Sequence, residues 1–332
     1  MNDASSGWLS TAAATLLPWA RQAGLVADAR EERRLAAMRL EVLAASALPR
    51  GDAQDVALAA QWAAFICWLD DQIGRRDLGS VPGELERFTA PLRHVLARDG
   101  EGATAANGRA VVLAWLWERT AAGMPARWRE RLAADCTDFL STCEEGVAVR
   151  RAGVRLPLAD HNRLRRRTIT LLPMLDILER TGHADLVEDP RVDSRLWDLR
   201  WAVADVADWA NDLASQSDDA AAGQDNLVTL VARRDGISTA LACRRVAAML
   251  DERRANFAAT AATLRATPDL AEHEVVGLRR YVDLVETFMT ATLHWLAVTG
   301  RFTPEPAPPG SAAALTASSA RDPRSTIENG TP

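Results

Sequence analysis

The sequence predicts an all-α protein folded as one helical bundle, and three observations carry that prediction. Apolar residues recur with the helical period of about 3.6 over most of the 332 positions. Clusters of Gly, Pro and Asp interrupt that pattern at helix-length intervals. No segment shows the apolar–polar alternation of a half-buried strand, and even Val111-Val112 is a brief β-branched run.

Taken in order, residues 1–7 are small and polar and read as disordered. From Trp8 to about Ala47 the spacing is helical, and the cluster Pro49-Arg50-Gly51-Asp52 ends it. Asp52 is placed to N-cap the next helix, which runs to about Gly74 and is apolar nearly all round, so it belongs at the centre of the bundle. Further helices are expected at about 82–98, 105–121, 125–150, 159–181, 194–218, 236–265 and 269–301, giving about ten in a single domain over 8–302. No fixed-period repeat is present. Residues 303–332 are rich in Pro, Ala and Ser and read as a disordered tail.

A 48% hydrophobic content supplies a sizeable core. The net charge of −6, with basic residues scattered rather than striped, speaks against a nucleic-acid partner. The sequence contains no Lys, which excludes Schiff-base and other Lys-based catalysis. Cys67, Cys136, Cys143 and Cys243 form no C-x-x-C pair, so zinc and dithiol readings fail, and free thiols fit a cytoplasmic protein. The apolar run Val56–Leu69 is too short to span a membrane, and Met1–Gly7 lacks the basic start of a signal peptide.

Chemistry concentrates in four stretches. Asn211, Ser215 and Asp219 fall at i, i+4 and i+8, within roughly 80° of one another on a helix face. They offer an amide oxygen, a hydroxyl and a carboxylate, hard donors that suit Mg²⁺ bound to a substrate phosphate; a solvated polar helix end is the bland alternative. Asp70-Asp71 ends an apolar helix, where paired carboxylates need either a cation or water. The run Arg163-Leu164-Arg165-Arg166-Arg167-Thr168-Ile169 reads as a diphosphate clamp or as a basic surface turn. Only one of its neighbouring Arg side chains can face a given cavity, and Arg165 is expected inward with Arg166 or Arg167 outward. Trp295 precedes Thr299-Gly300-Arg301-Phe302 at the end of the last helix.

In this order the four stretches resemble the motifs of the bacterial class I terpene synthases, or terpene cyclases. The likeness runs from about residue 10 to 302 and includes Gly223-Gln224-Asp225-Asn226-Leu227-Val228, similar to that family's G-x-x-N-L-V. It implies the class I terpenoid synthase helical fold and ionisation of an isoprenyl diphosphate, with Mg²⁺, three ions, as cofactor. Asp70, with Asp71 beside it, would hold two of the ions, and Asn211, Ser215 and Asp219 the third. Arg165 would sense the diphosphate through the linker Thr168, and the Ile169 carbonyl would help draw the leaving group away. Arg301 would donate to the diphosphate, with Phe302, Ile66, Cys67 and Trp295 lining the substrate site.

The sequence departs from the family pattern at several points. Gly74 and Arg75 stand where a further acid is usual, with Asp77 beyond them. Asp219 replaces a Glu, Phe302 replaces a Tyr, and Ile66 and Cys67 replace frequent aromatics. Farnesyl diphosphate is the commonest substrate of the family it resembles, which points to a sesquiterpene product. A diterpene synthase using geranylgeranyl diphosphate or a bicyclic diterpenyl diphosphate is the alternative. A chain-elongating prenyltransferase fits less well, lacking its two D-D-x-x-D motifs and its Lys. A catalytically silent scaffold or regulator is the reading from another class; it would leave the Asp and Arg clusters on unrelated surfaces. The oligomeric state is left open, a homodimer included.

Overall fold

A computed structural model describes residues 3–75, 83–184, 189–221 and 223–301. Asp77, Phe302 and the tail 303–332 lie outside the described residues. The described chain is helical throughout: α1 (Asp3–Gln22), α2 (Ala29–Ala37), α3 (Leu40–Ala47), α4 (Ala53–Arg75), α5 (Glu84–Ala97), α6 (Gly108–Ala121), α7 (Ala126–Arg151), α8 (Leu158–Thr168), α9 (Leu171–Thr181), α10 (Asp193–Ala221), α11 (Leu227–Asp235), α12 (Thr239–Arg265) and α13 (Glu272–Val298). None of these helices is long and apolar enough to cross a membrane.

The expected helices from α4 onward are present, and the structure differs from the expected pattern at four points along the chain. The helix start expected at Trp8 falls earlier, at Asp3, inside the stretch read as disordered. The helical pattern 8–47 is three helices, because Asp28 caps α2 and Arg39 adopts φ 54 before α3. The segment 159–181 is two helices, broken at Ile169-Thr170, where Thr170 sits at φ 63. α11 was not anticipated, although Asn226 caps its start and Gly236, at φ 63, its end. The Asp52 cap is formed as expected: its carboxylate accepts from the N–H of Gln54 at 2.7 Å and Asp55 at 2.9 Å.

α4 is central, as its all-round apolar pattern requires. Ala59, Ala60, Trp62, Ala64, Phe65 and Leu69 are all buried. α9 is buried along almost its whole length, from Leu171 to Glu179. α10 and α13 pack against α9.

A buried ionic cluster ties α9, α10 and α13 to α7. Arg200 of α10, 1% exposed, donates to Asp176 of α9 at 2.9 Å, Asp135 of α7 at 2.8 Å and the Tyr281 hydroxyl of α13 at 2.9 Å. Arg131 of α7 adds a second fork onto Asp176, at 2.9 Å, and Glu179. Burial, reinforced by the charge of Asp176, pushes the Asp135 carboxyl up to about 7. Removing one member of such a set strands the others, which costs more than the intact set gains. Arg200→Ala is therefore expected to lower the unfolding free energy by about 3–5 kcal/mol. A urea titration checks this, and a loss under about 1 kcal/mol would show the cluster to be dispensable.

Candidate active site

The acidic end of α4 meets the C-terminus of the described chain. α13 ends at Val298, and the following residues lie on the corner between α2 and α3. Trp295 Nε1 donates to the Met38 carbonyl at 2.5 Å, the Thr299 hydroxyl to the same oxygen at 3.0 Å, and the Gly300 N–H to the Ala37 carbonyl at 2.7 Å. A Cβ at Gly300 would lie 3.1 Å from the Ala37 oxygen, a tight contact that glycine avoids. This docking aims Arg301 at α4, where its guanidinium bonds Asp70 at 2.9 Å and Asp71 at 3.4 Å. Arg34 of α2 approaches Asp71 from the other side at 3.7 Å.

Asp70 and Asp71 differ in environment. Both were expected to be costly to bury, but the Asp70 side chain is 55% exposed and only Asp71, at 15%, is enclosed. Burial raises the Asp71 pKa above the usual carboxylate range, against the pull of Arg301 and Arg34.

Across from this end stands α8 against α10. The three arginines diverge, as their helical spacing requires, yet none is left to solvent. Arg165 pairs with Asp208 at 2.6 Å and lies 3.6 Å from Asp212, both on α10. Arg166 forms a two-pronged pair with Asp205, one prong at 2.9 Å, and Asp205 also accepts from Arg253 of α12 at 2.8 Å. Arg167 turns the opposite way, to Asp138 of α7 at 2.7 Å and Glu145 at 3.5 Å. Arg167 thus faces away from Arg165, and both Arg166 and Arg167 are paired with acids where they point. Arg166 and Arg167 are therefore held in helix–helix pairs, as Arg165 is with Asp208.

Arg165 links the two sides. Burial works against its charge, yet Asp208, Asp212 and Asp70 outweigh it and raise its pKa above the ordinary value. Asp70 on α4 is thus within electrostatic reach of the same guanidinium that α10 holds. Burial pushes the Asp208 carboxyl up to about 6, with Arg165 opposing and Asp212 adding to the rise. Burial also opposes ionisation of Asp212, but His161, Arg165 and the Leu227 N–H prevail and lower its pKa. The acids Asp205, Asp208 and Asp212 were not singled out from sequence. Their signal was present: charged residues three and four apart inside the apolar run of α10.

Asn211, Ser215 and Asp219 lie on α10 at the expected spacing. The Ser215 hydroxyl donates to Asp219 Oδ2 at 2.6 Å, so two of the three oxygens converge. Asn226 holds the arrangement from outside: its amide donates to the same Asp219 oxygen at 2.7 Å and to the Asp212 carbonyl at 2.8 Å, while its own oxygen caps α11. Among the described residues no three His, Cys, Asp or Glu side chains gather into a metal site by themselves. The oxygen set on each side suits a hard divalent cation that completes its shell with substrate oxygens.

Beside these groups lies a small apolar cavity lined by Trp62, Phe65, Ile66, Phe139, Thr170 and Pro173 among others. Ile66 therefore faces the cavity. Cys67 is not among the lining residues and lies beside Arg301, its thiol pushed up to about 11 by burial. Trp295 is likewise absent from the lining, because its indole N–H is taken by Met38. Thr168 turns its hydroxyl back onto the Leu164 and Arg165 carbonyls, 3.3 Å from each, at the end of α8.

Known proteins resemble this chain in sequence and in fold. The family model described as terpene synthase family 2, C-terminal metal binding, matches residues 61–256. Pristinol synthase of Streptomyces pristinaespiralis is 30% identical over 296 residues, 86% of this chain and 78% of that protein. The (−)-β-caryophyllene synthase of Saccharothrix espanaensis, described as cyclizing (2E,6E)-farnesyl diphosphate, is 29% identical and covers 89% of this chain and 85% of its own. The crystal structure of linalool/nerolidol synthase from Streptomyces clavuligerus in complex with 2-fluorogeranyl diphosphate superposes with a TM-score of 0.76 at 28% identity, over 87% of this chain and 98% of that one. A match over more than half the sequence, on a helical fold that sets acids and arginines beside one apolar cavity, makes this chain a member of the terpene synthase family.

Proposed function

We propose that this chain is a class I cyclase that ionises farnesyl diphosphate with three Mg²⁺ ions and closes the resulting carbocation to a sesquiterpene. The observation that carries the reading is Arg165, held by Asp208 and Asp212 while feeling Asp70. A diphosphate entering between α4 and α10 meets that guanidinium and Arg301, whose forks match its oxygens. Asp70 and the Asn211, Ser215 and Asp219 face would hold the divalent cations, which would add positive charge opposite the departing group. The allylic C–O bond breaks, and diphosphate leaves with the electron pair. The apolar wall at Trp62, Phe65 and Phe139 then keeps water from the cation and shapes its closure, and loss of a proton, taken up by the released diphosphate, gives the neutral product. The C15 substrate is supported by the caryophyllene synthase relative; the fluorogeranyl complex of the linalool/nerolidol synthase favours a C10 substrate as the second reading.

Incubation with C10, C15 and C20 isoprenyl diphosphates plus Mg²⁺, followed by analysis of the organic extract, tests this. A cyclic C15 product that disappears with a chelator is expected. Products from C10 alone would transfer the reading to a monoterpene synthase, and no product from any chain length would end it.

A further inference from the structure

We propose that Thr120 of α6 is a positioning residue, resting on the cyclase reading above: its hydroxyl fixes the Trp62 indole in the cavity wall and thereby biases which product forms there. Trp62 of α4 lines the apolar cavity and is 1% exposed, while Thr120 is fully buried and stands outside the lining. The indole N–H is a donor only, and it donates to the Thr120 hydroxyl oxygen at 2.7 Å. The Thr120 hydroxyl has a single proton, which goes to the Leu116 carbonyl one turn back on α6, at 2.7 Å. That bond fixes the rotor and leaves the oxygen lone pairs for the indole, so the direction of both hydrogen bonds is determined.

Two further observations separate this pair from ordinary core satisfaction. The buried indoles of Trp128 and Trp209, neither of which lines the cavity, have no hydrogen-bond partner among the described residues, so this fold tolerates a buried indole without one. The plane of Trp62 also sets its neighbours along α4. Phe65, itself in the cavity lining, meets Trp62 edge-on at 73° with ring centroids 6.4 Å apart, and Phe65 stacks on Trp68 at 6.2 Å. An aromatic face is electronegative and its edge electropositive, so the orientation of these rings decides where in the cavity positive charge is favoured. A carbocation whose charge can rest on more than one carbon is thereby directed to one of them.

The test sets Thr120→Val and Thr120→Ser beside the wild type and repeats Thr120→Val in a Trp62→Phe background, using whichever C10, C15 or C20 diphosphate the wild type turns over. Thermal melts confirm folding. Val keeps the shape of Thr and removes the acceptor; it is expected to lower kcat about tenfold, the scale of one hydrogen bond, and to raise the by-product share of the extract at least about threefold. KM is expected to stay within about twofold, since the diphosphate is held elsewhere. Ser keeps the hydroxyl and is expected to reproduce the wild-type product profile. Phe has no N–H to hold, so Thr120→Val is expected to change nothing further in the Trp62→Phe background. If Thr120→Val does not fold, Trp62→Phe alone decides: a changed product profile is expected, and an unchanged one overturns the proposal. Wild-type kcat and product profile in Thr120→Val, or an equal effect of that change in both backgrounds, would overturn the proposal while leaving the cyclase reading intact. Absence of turnover by the wild type would overturn both.

Discussion

Arg165→Ala is expected to lower product formation at least about a hundredfold, the scale on which a single charge-stabilising donor acts, while Arg167→Ala stays within about threefold. The two residues lie two positions apart on α8 and carry the same charge, so only their surroundings separate them. Arg165 is flanked by buried Asp208 and Asp212 and reaches the field of Asp70. Arg167 faces away, onto the partly exposed Asp138 and Glu145 of α7, where an ion pair contributes roughly 0–1 kcal/mol. Removing Arg165 also strands two buried acids, so lost activity has to be separated from lost fold. Arg165→Lys serves that purpose: it keeps the charge but not the two-pronged geometry, and it is expected to fold and still turn over poorly. Steady-state kinetics on the folded fraction of all three variants provide the measurement. Equal activity of the Ala variants at 165 and 167 would remove Arg165 from the site.

Arg166 illustrates what sequence could and could not disclose about this cluster. That adjacent helical arginines must diverge follows from spacing alone, and they do. Which helix each would meet depended on Asp138, Asp205 and Asp208, whose proximity is set by tertiary packing and carries no local signature. The same division runs through the fold. α4 was legible because it is apolar on every side, and Asp52 because a cap is a local hydrogen bond. The break at Ile169-Thr170 was not, since Pro173 lies in the first turn of α9, where proline is tolerated and ends nothing by itself. Its effect is on a carbonyl four residues earlier. α11 escaped because nine residues give the apolar period little to show, although Asn226 and Gly236 marked both ends. At the C-terminus the motif around Trp295 was recognised as a unit, but its use was not. Trp295 and Thr299 serve the Met38 carbonyl, and so place Arg301, rather than touching the cavity.

The Asp219 position carries the second large effect. Asp219→Ala is expected to abolish product formation at low Mg²⁺, and Asp219→Glu to retain or raise it. The Asp219 carboxylate accepts at Oδ2 from both Ser215 and Asn226, which leaves Oδ1 as the oxygen offered to a cation. A Glu extends that carboxylate by about 1.5 Å, one carbon–carbon bond. Divalent magnesium demands near-ideal octahedral geometry, so reach of this size matters to occupancy. The Ala variant loses the charge and also deprives the Asn226 amide of one acceptor, though Asn226 keeps the Asp212 carbonyl and its cap on Val228. The fold should therefore survive, and a melt within a few degrees of wild type is the accompanying control. Product formation measured against Mg²⁺ concentration separates the outcomes. A curve for Ala shifted to much higher Mg²⁺, with Glu at or below the wild-type midpoint, assigns Asp219 to the cation. Superimposable curves for Asp, Glu and Ala would mean that the Asn211, Ser215 and Asp219 face does no more than anchor the start of α11.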